Sequence, residues 1–221
     1  MANYKLFCLE KVTSTQDVAR EMVANGNAGN NCVVIANAQS AGRGRYNRKW
    51  VSHHGNLYAS FIYGCDEPDA RIAYSVAVAV AETLMLFGIS PQIKWPNDVL
   101  VDGKKISGIL IEYYNDYVIV GVGINIESKP TVPEYKTIKM SEFVEVSVDA
   151  VFSKLLYNMK KWRFEKFPLV REHWLKLAIG LNKLVKYRGV QHELVGINDN
   201  GALILRRDSK YYLVYGDEIS M

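Results

Sequence analysis

The sequence predicts an α+β fold, a mixed and largely antiparallel sheet with flanking helices, followed by a small C-terminal SH3-like β-barrel. Three observations carry this. Strand-like runs follow one another as hairpins, with turn signals at Asp102-Gly103 and Asn115-Asp116 instead of intervening helices. The middle of one long helical stretch, Ala77-Val78-Ala79-Val80-Ala81, is apolar all round and is expected to be buried against a sheet. From Leu184 the texture changes to short apolar runs separated by turn residues, over about 40 residues, a size that rarely stands alone.

Taken in order, Tyr4 to Glu10 has strand composition. A helix start follows at Thr13-Ser14-Thr15-Gln16, where Thr13 and Gln16 have capping-box spacing. Val18, Ala19, Met22 and Val23 give this helix an apolar face, and Gly26 ends it. Cys32 to Ala38 is an apolar strand, and Leu57 to Tyr63 returns as another. Pro68 to Phe87 is expected to be a long helix stopped by Gly88. Gln92 to Trp95, Val99 to Val101, Ile106 to Tyr113 and Tyr117 to Ile126 are the next strands. Glu127 to Lys139 holds two prolines and little periodicity, which predicts a mobile surface loop. Val148 to Phe167 is a further helix, and Pro168 can start one more through His173 and Leu177. The barrel strands are Leu184 to Tyr187, Glu193 to Ile197, Ala202 to Leu205 and Tyr211 to Val214. These divide the chain into domains 1–180 and 181–221.

Composition narrows the class. With 49% apolar and 23% charged residues, the 221 residues can bury a real core. No apolar run is long enough to span a bilayer, and Met1 to Lys5 has no signal-peptide layout. Cys8, Cys32 and Cys65 are odd in number and widely spaced, as expected of reduced, mostly buried thiols in a cytoplasmic protein. A net charge of +4 permits anionic ligands without demanding a nucleic acid.

The most informative segment is Gly42-Arg43-Gly44-Arg45-Tyr46-Asn47-Arg48-Lys49-Trp50. Glycines weaken any regular element, and the clustered cations repel one another, so it is a loop. Glycine lets the main chain approach a ligand closely, and arginine offers a planar fork of donors for carboxylate or phosphate. Familiar templates fail: there is no Walker A motif, no complete dinucleotide fingerprint, no HExxH and no GxSxG elbow. Three further stretches carry polar handles. Lys94-Trp95-Pro96-Asn97-Asp98 ends a strand in a rigid turn; Lys104-Lys105 precede Ile106-Ser107-Gly108, where glycine allows close approach; and Ser14-Thr15-Gln16 opens a helix whose N–H groups can hold a polar ligand. Joining a carboxylate to the α-phosphate of ATP brings two anions together, and Arg43, Arg45, Arg48 and Lys105 are the charges such a step needs.

These stretches, in this order, resemble biotin protein ligase. The resemblance also takes in Gln39, Gly121-Val122-Gly123-Ile124-Asn125 and the closing Gly216-Asp217-Glu218-Ile219-Ser220, and so spans nearly the whole chain. It implies a catalytic domain related to class II tRNA synthetases plus the small barrel. It implies synthesis of biotinyl-5′-AMP from biotin and ATP with Mg²⁺, then transfer of biotin to one lysine of a carrier domain, for which acetyl-CoA carboxylase is the expected source. Carried over by position, Ser14, Thr15, Gln16 and Gln39 meet the ureido head of biotin. Arg43, Gly44, Arg45 and Gly108 line the biotin and adenylate side. Lys105 reaches the carboxylate and the α-phosphate, with Arg43 and Arg45 as its catalytic companions. Arg43, Arg48, Trp50, Lys94, Asn97 and Asn125 stand on the nucleotide side, and Asp98 is the candidate for Mg²⁺. Asn47 stands where the family often has glycine, though asparagine tolerates left-handed backbone. The chain begins directly at the catalytic domain, so no specific DNA binding is expected, nor membrane association; pairing through the sheets makes a homodimer the expected assembly.

Blander readings stand beside these. Thr13 to Gln16 could be only a helix cap, Arg43 to Arg48 a nucleic-acid-contacting loop, and Lys94 to Asp98 an ordinary turn. A lipoate–protein ligase shares fold and reaction, and a nonenzymatic nucleic-acid-binding module is the remaining alternative.

Overall fold

The computed structural model describes residues 4–133, 135–216 and 219–220. In chain order the elements are β1 (Lys5–Val12), α1 (Thr15–Ala24), β2 (Cys32–Gln39), β3 (Leu57–Gly64), α2 (Ile72–Met85), β4 (Gln92–Lys94), β5 (Asp98–Val101), β6 (Lys104–Tyr114), β7 (Tyr117–Ile124), α3 (Val148–Arg163), α4 (Phe167–Leu177), β8 (Leu184–Tyr187), β9 (Val190–Ile197), β10 (Leu203–Arg207), β11 (Lys210–Val214) and β12 (Ile219–Ser220). The chain forms two compact units. One comprises Met1–Pro68 and Lys104–Ser153, the other Asp69–Gly103 and Lys154–Met221.

In the first unit the strands lie in the order β1-β2-β3-β7-β6. β1 runs parallel to β2, and the other pairs are antiparallel, as the hairpin signals predicted. Helix α1 lays Ala19 and Val23 on Cys32, Val34, Ile62 and Ile119, with Val18 and Met22 at the margin. The expected apolar face is therefore the one that packs. The cap differs from expectation. Ser14, in extended conformation and with no side-chain cap bond, is the N-cap residue, and the helix begins at Thr15. Thr13 and Gln16 form no capping box, because the Gln16 side chain is turned inward to Glu112.

Among the cysteines, Cys32 is buried, Cys65 half-buried and Cys8 exposed, all as free thiols. Burial of most of them was expected, and Cys32 alone meets it fully. Cys8 escapes it on β1, which ends the strand order and has a largely exposed surface. The segment 127–139 has no strand or helix among its described residues, and these are exposed or half-buried except at Ile138. Ile138 is buried, and its N–H donates to Lys105 O, while Lys105 N–H donates to Lys136 O.

One polar residue pins this region. Asn56 is buried; its Oδ1 accepts the N–H groups of Ile126, Glu127 and Ser128 at 2.8, 3.0 and 3.1 Å, and its Nδ2 donates to Ser128 O. Removing the acceptor strands the Ile126 and Ser128 donors and leaves the Glu127 N–H only its bond to Gly55 O. Asn56→Ala is expected to lower unfolding free energy by about 3 kcal/mol in urea titration; a loss below about 1 kcal/mol would show that these bonds are replaceable.

In the second unit β4 and β5 pair antiparallel, and α2 packs on them and on α4. Every residue from Val76 to Ala81 is buried, as the all-apolar composition required. The helix begins at Ile72 instead of Pro68. The Asp69 carboxylate accepts the Arg71 N–H at 2.8 Å, which holds the preceding residues in a turn. The stretch expected as one helix from Val148 stops at Arg163, and α4 starts with Pro168 in its first turn. The C-terminal strands form a sheet of order β11-β10-β9-β8-β12, antiparallel throughout. Gly201 O of that region accepts the Tyr74 hydroxyl, which itself accepts from Trp95 Nε1. Burial pushes the Tyr74 phenol up to about 12. Among the described residues no helix is long and apolar enough to cross a membrane. Asp217 and Glu218 of the closing motif lie outside the described residues, as do Met1 to Asn3.

Candidate active site

The site grows out of strand register. Three successive rungs cross β2, β3, β7 and β6 with side chains on one face: Cys32–Ile62–Ile119–Glu112, then Val34–Ser60–Gly121–Leu110, then Ala36–Tyr58–Gly123–Gly108. The first rung is filled by isoleucines under α1. Toward the third, the side chains on β7 and β6 vanish. Three glycines open a trough in an otherwise packed face, beside the N-terminus of α1.

Two side chains lie over this trough. A Cβ at Gly108 would stand 2.9 Å from the Trp50 indole, and one at Gly123 would stand 2.7 Å from it. The indole therefore rests directly on the paired glycine backbones. A Cβ at Gly121 would stand 3.0 Å from Gln16 Oε1. Gln16 and Trp50 reach the sheet only because these positions carry no side chain.

A polar chain lines the wall. Ser60 Oγ donates to Thr15 Oγ1 at 2.8 Å; Thr15 donates to Gln39 Oε1 through its N–H at 2.8 Å and its hydroxyl at 3.2 Å; Gln39 Nε2 donates to Ser52 Oγ at 2.8 Å; and Ser52 donates to Trp50 O. Ser14, Thr15, Gln16, Ser52, Ser60 and Ser107 are all buried. Desolvating so many polar groups is unfavourable unless each finds a partner. Gln16 Oε1, Ser107 Oγ and Trp50 Nε1 are buried with no hydrogen-bond partner among the described residues. An array left incomplete in this way suits a ligand that brings its own donors and acceptors.

The Arg-Gly loop is a closed hairpin. Trp50 N–H donates to Gly42 O, Gly44 N–H donates to Arg48 O, and Arg43 bridges Lys49 across it. Its tip turns through positive φ at Tyr46 (55°) and Asn47 (56°), so the asparagine does the work expected of it. Arg43 points inward. Its Nη1 donates to Glu112 Oε1 at 3.1 Å and its Nη2 to Glu112 Oε2 and Asp17. The hydrogen bond that it donates to Glu112, followed by the one to Asp17, raises the Arg43 guanidinium above its ordinary value. Arg45 lies over the Tyr46 ring at 4.9 Å and bonds its hydroxyl; exposed Arg48 lies over the same ring at 5.6 Å. Lys105 Nζ sits between the Trp50 and Tyr135 rings, 5.3 and 5.0 Å from their centres.

The register and the loop thus gather Ser14, Thr15, Gln16, Gln39, Arg43, Trp50, Lys105 and Gly108 in the first unit. Asn125 is also there and buried, with its Nδ2 donating to Ile138 O at 3.1 Å, a bond that holds the strand beside Lys105. Lys94, Asn97 and Asp98 belong to the second unit, half-buried; Lys94 pairs with Asp98 across β4 and β5, and the Trp95–Pro96 peptide is cis. Among the described residues no group of three or more His, Cys, Asp or Glu side chains could hold a metal ion. The carboxylates beside the trough, Asp17 and Glu112, are engaged by Arg43 and make no metal cage.

Sequence reasoning missed Glu112, Asp17, Ser52 and Ser60. Glu112 had a signal, since Gly108, Leu110 and Glu112 alternate along one strand and share a face. The serines had none, because small hydroxyls occur everywhere.

The model of the biotin/lipoate A/B protein ligase family matches residues 8–125. The bifunctional ligase/repressor BirA of Bacillus subtilis is 32% identical over 234 residues, covering 95% of this chain and 72% of that protein. The biotin–[acetyl-CoA-carboxylase] ligase of Paracoccus denitrificans is 32% identical over 200 residues, covering 78% and 83%. Among solved structures, biotin protein ligase from Aquifex aeolicus in complex with biotin and ATP superposes with a TM-score of 0.83 at 27% identity, covering 98% of this chain and 97% of that one.

Proposed function

Because this chain belongs to the biotin/lipoate A/B protein ligase family, we propose that it activates biotin with ATP to biotinyl-5′-AMP and transfers the biotin to a lysine of a biotin carboxyl carrier domain. The observation that carries the biotin reading is the incomplete polar array around Gln16, set over a trough made by Gly108, Gly121 and Gly123. A cyclic urea has N–H donors and a carbonyl acceptor at one rigid end, which match the unpartnered buried polar atoms of Gln16, Ser107 and Trp50. A dithiolane offers no such donors.

In the first step a biotin carboxylate oxygen attacks the α-phosphorus of ATP, forming an O–P bond and releasing pyrophosphate. Lys105 supplies the cation at this junction of two anions, and its aromatic surroundings keep it partly shielded from water. Arg43 and Arg45 orient the loop over the product. In the second step an uncharged lysine amine of the carrier attacks the acyl carbon; the amide forms, the acyl–phosphate bond breaks and AMP leaves. The mixed anhydride is open to hydrolysis in the interval, so the Gly42–Trp50 hairpin acts as its cover.

The test combines purified protein, MgATP, labelled biotin and an acetyl-CoA carboxylase carrier domain. Label is expected on the carrier, together with biotin-dependent pyrophosphate exchange. Neither signal with biotin, or an equal signal with lipoate, would sink this reading.

A further inference from the structure

Gln16 is a buried amide whose orientation is forced. Its Nε2 faces Glu112 Oε2 at 3.0 Å and Ile119 O at 3.4 Å. A carboxylate and a backbone carbonyl accept and cannot donate, so only the amide nitrogen can stand there. Glu112 is itself held as an acceptor. Arg43 bonds both of its oxygens, and Arg20 Nη2 lies 3.3 Å from Oε1. The consequence falls on the other end of the amide, where Gln16 Oε1 lies over Gly121, buried and without a partner among the described residues.

We propose that Glu112 is a positioning residue that determines specificity: it locks Gln16 as an acceptor, so that the site selects ligands presenting an N–H donor to Gln16 Oε1. This rests on the ligase reading above and assigns its recognition of the urea to a residue that touches no substrate. The ligand class is a cyclic urea or related lactam-type N–H donor. A dithiolane acid would leave Oε1 buried and unsatisfied, a larger penalty than a mere misfit of shape.

The test titrates biotin, lipoate and biotin methylated on one or the other urea nitrogen into wild type, Glu112→Gln and Gln16→Met. In wild type, methylation of one urea nitrogen is expected to weaken binding by about tenfold or more. In Glu112→Gln a neutral amide can donate to Gln16 Oε1, so Gln16 is free to turn. Biotin affinity should fall by about tenfold, and the methylation penalty should shrink. Gln16→Met leaves the Glu112–Arg43 pair in place and should abolish that penalty, which keeps the proposal testable if Glu112→Gln does not fold. Unchanged biotin affinity in Glu112→Gln, or an intact methylation penalty in Gln16→Met, would overturn the assignment while leaving the ligase reading standing. A wild-type protein that binds no biotin would overturn both.

Discussion

Lys105→Ala is expected to slow biotin-dependent pyrophosphate exchange by about a hundredfold to a thousandfold, the scale on which removing one preorganised charge acts. The cause is local. The backbone of Lys105 is fixed from both directions, by Lys136 O and the Ile138 N–H, so the side chain starts from an immobile point. Its ammonium is confined between Trp50 and Tyr135. A cation that is already placed spends no reorganisation energy when two anions meet. Loss of the two cation–π contacts should lower stability by only about 1–2 kcal/mol, so thermal unfolding should change far less than rate. Near-normal exchange kinetics in a folded Lys105→Ala protein would remove Lys105 from the chemistry.

Gly42→Ala is expected to weaken biotin binding by about tenfold to a hundredfold, from an overpacking strain of about 1–3 kcal/mol. A Cβ there would lie 2.5 Å from Trp50 O, 2.6 Å from Ser52 Oγ and 2.8 Å from Gln39 Nε2. The first of these is backbone within the hairpin closed by the Trp50 N–H to Gly42 O bond, so it cannot swing aside. The other two belong to the polar chain that runs from Ser60 to Trp50. Gly44→Ala is the natural comparison, because its Cβ would meet only Arg48 O at an ordinary 3.6 Å. Titration calorimetry on the two variants should separate them clearly. Equal affinities would mean that the hairpin yields, and that Gly42 is not what closes it.

These expectations draw on different amounts of sequence information. The elements were legible because their periodicity and turn chemistry agree: α1 buries Ala19 and Val23 as its pattern demanded, and Gly88 and Gly103 take the positive φ that stops and turns need. The Arg-Gly hairpin was legible as a loop, since no regular element tolerates that composition. What was not legible clusters where a side chain serves something other than its local neighbours. Gln16 looked like one half of a capping box, but it reaches Glu112, ninety-six positions away. Arg43 was legible as a cation in a loop, while its pairing with Glu112 and Asp17 was not. The bond from the Asn125 amide nitrogen to the Ile138 carbonyl had no local signal either.

By itself, then, the sequence determined the fold class, the order of elements and the cluster of residue types that suit a carboxylate, a phosphate and a urea. Those properties are local, written in spacing, turn residues and charge. Only the tertiary structure decided that Gly108, Gly121 and Gly123 share one face as a trough, because that depends on the register of β6 against β7. It alone decided the direction of the Gln16 amide, since a carboxamide has two nearly identical ends and only its distant partners distinguish them.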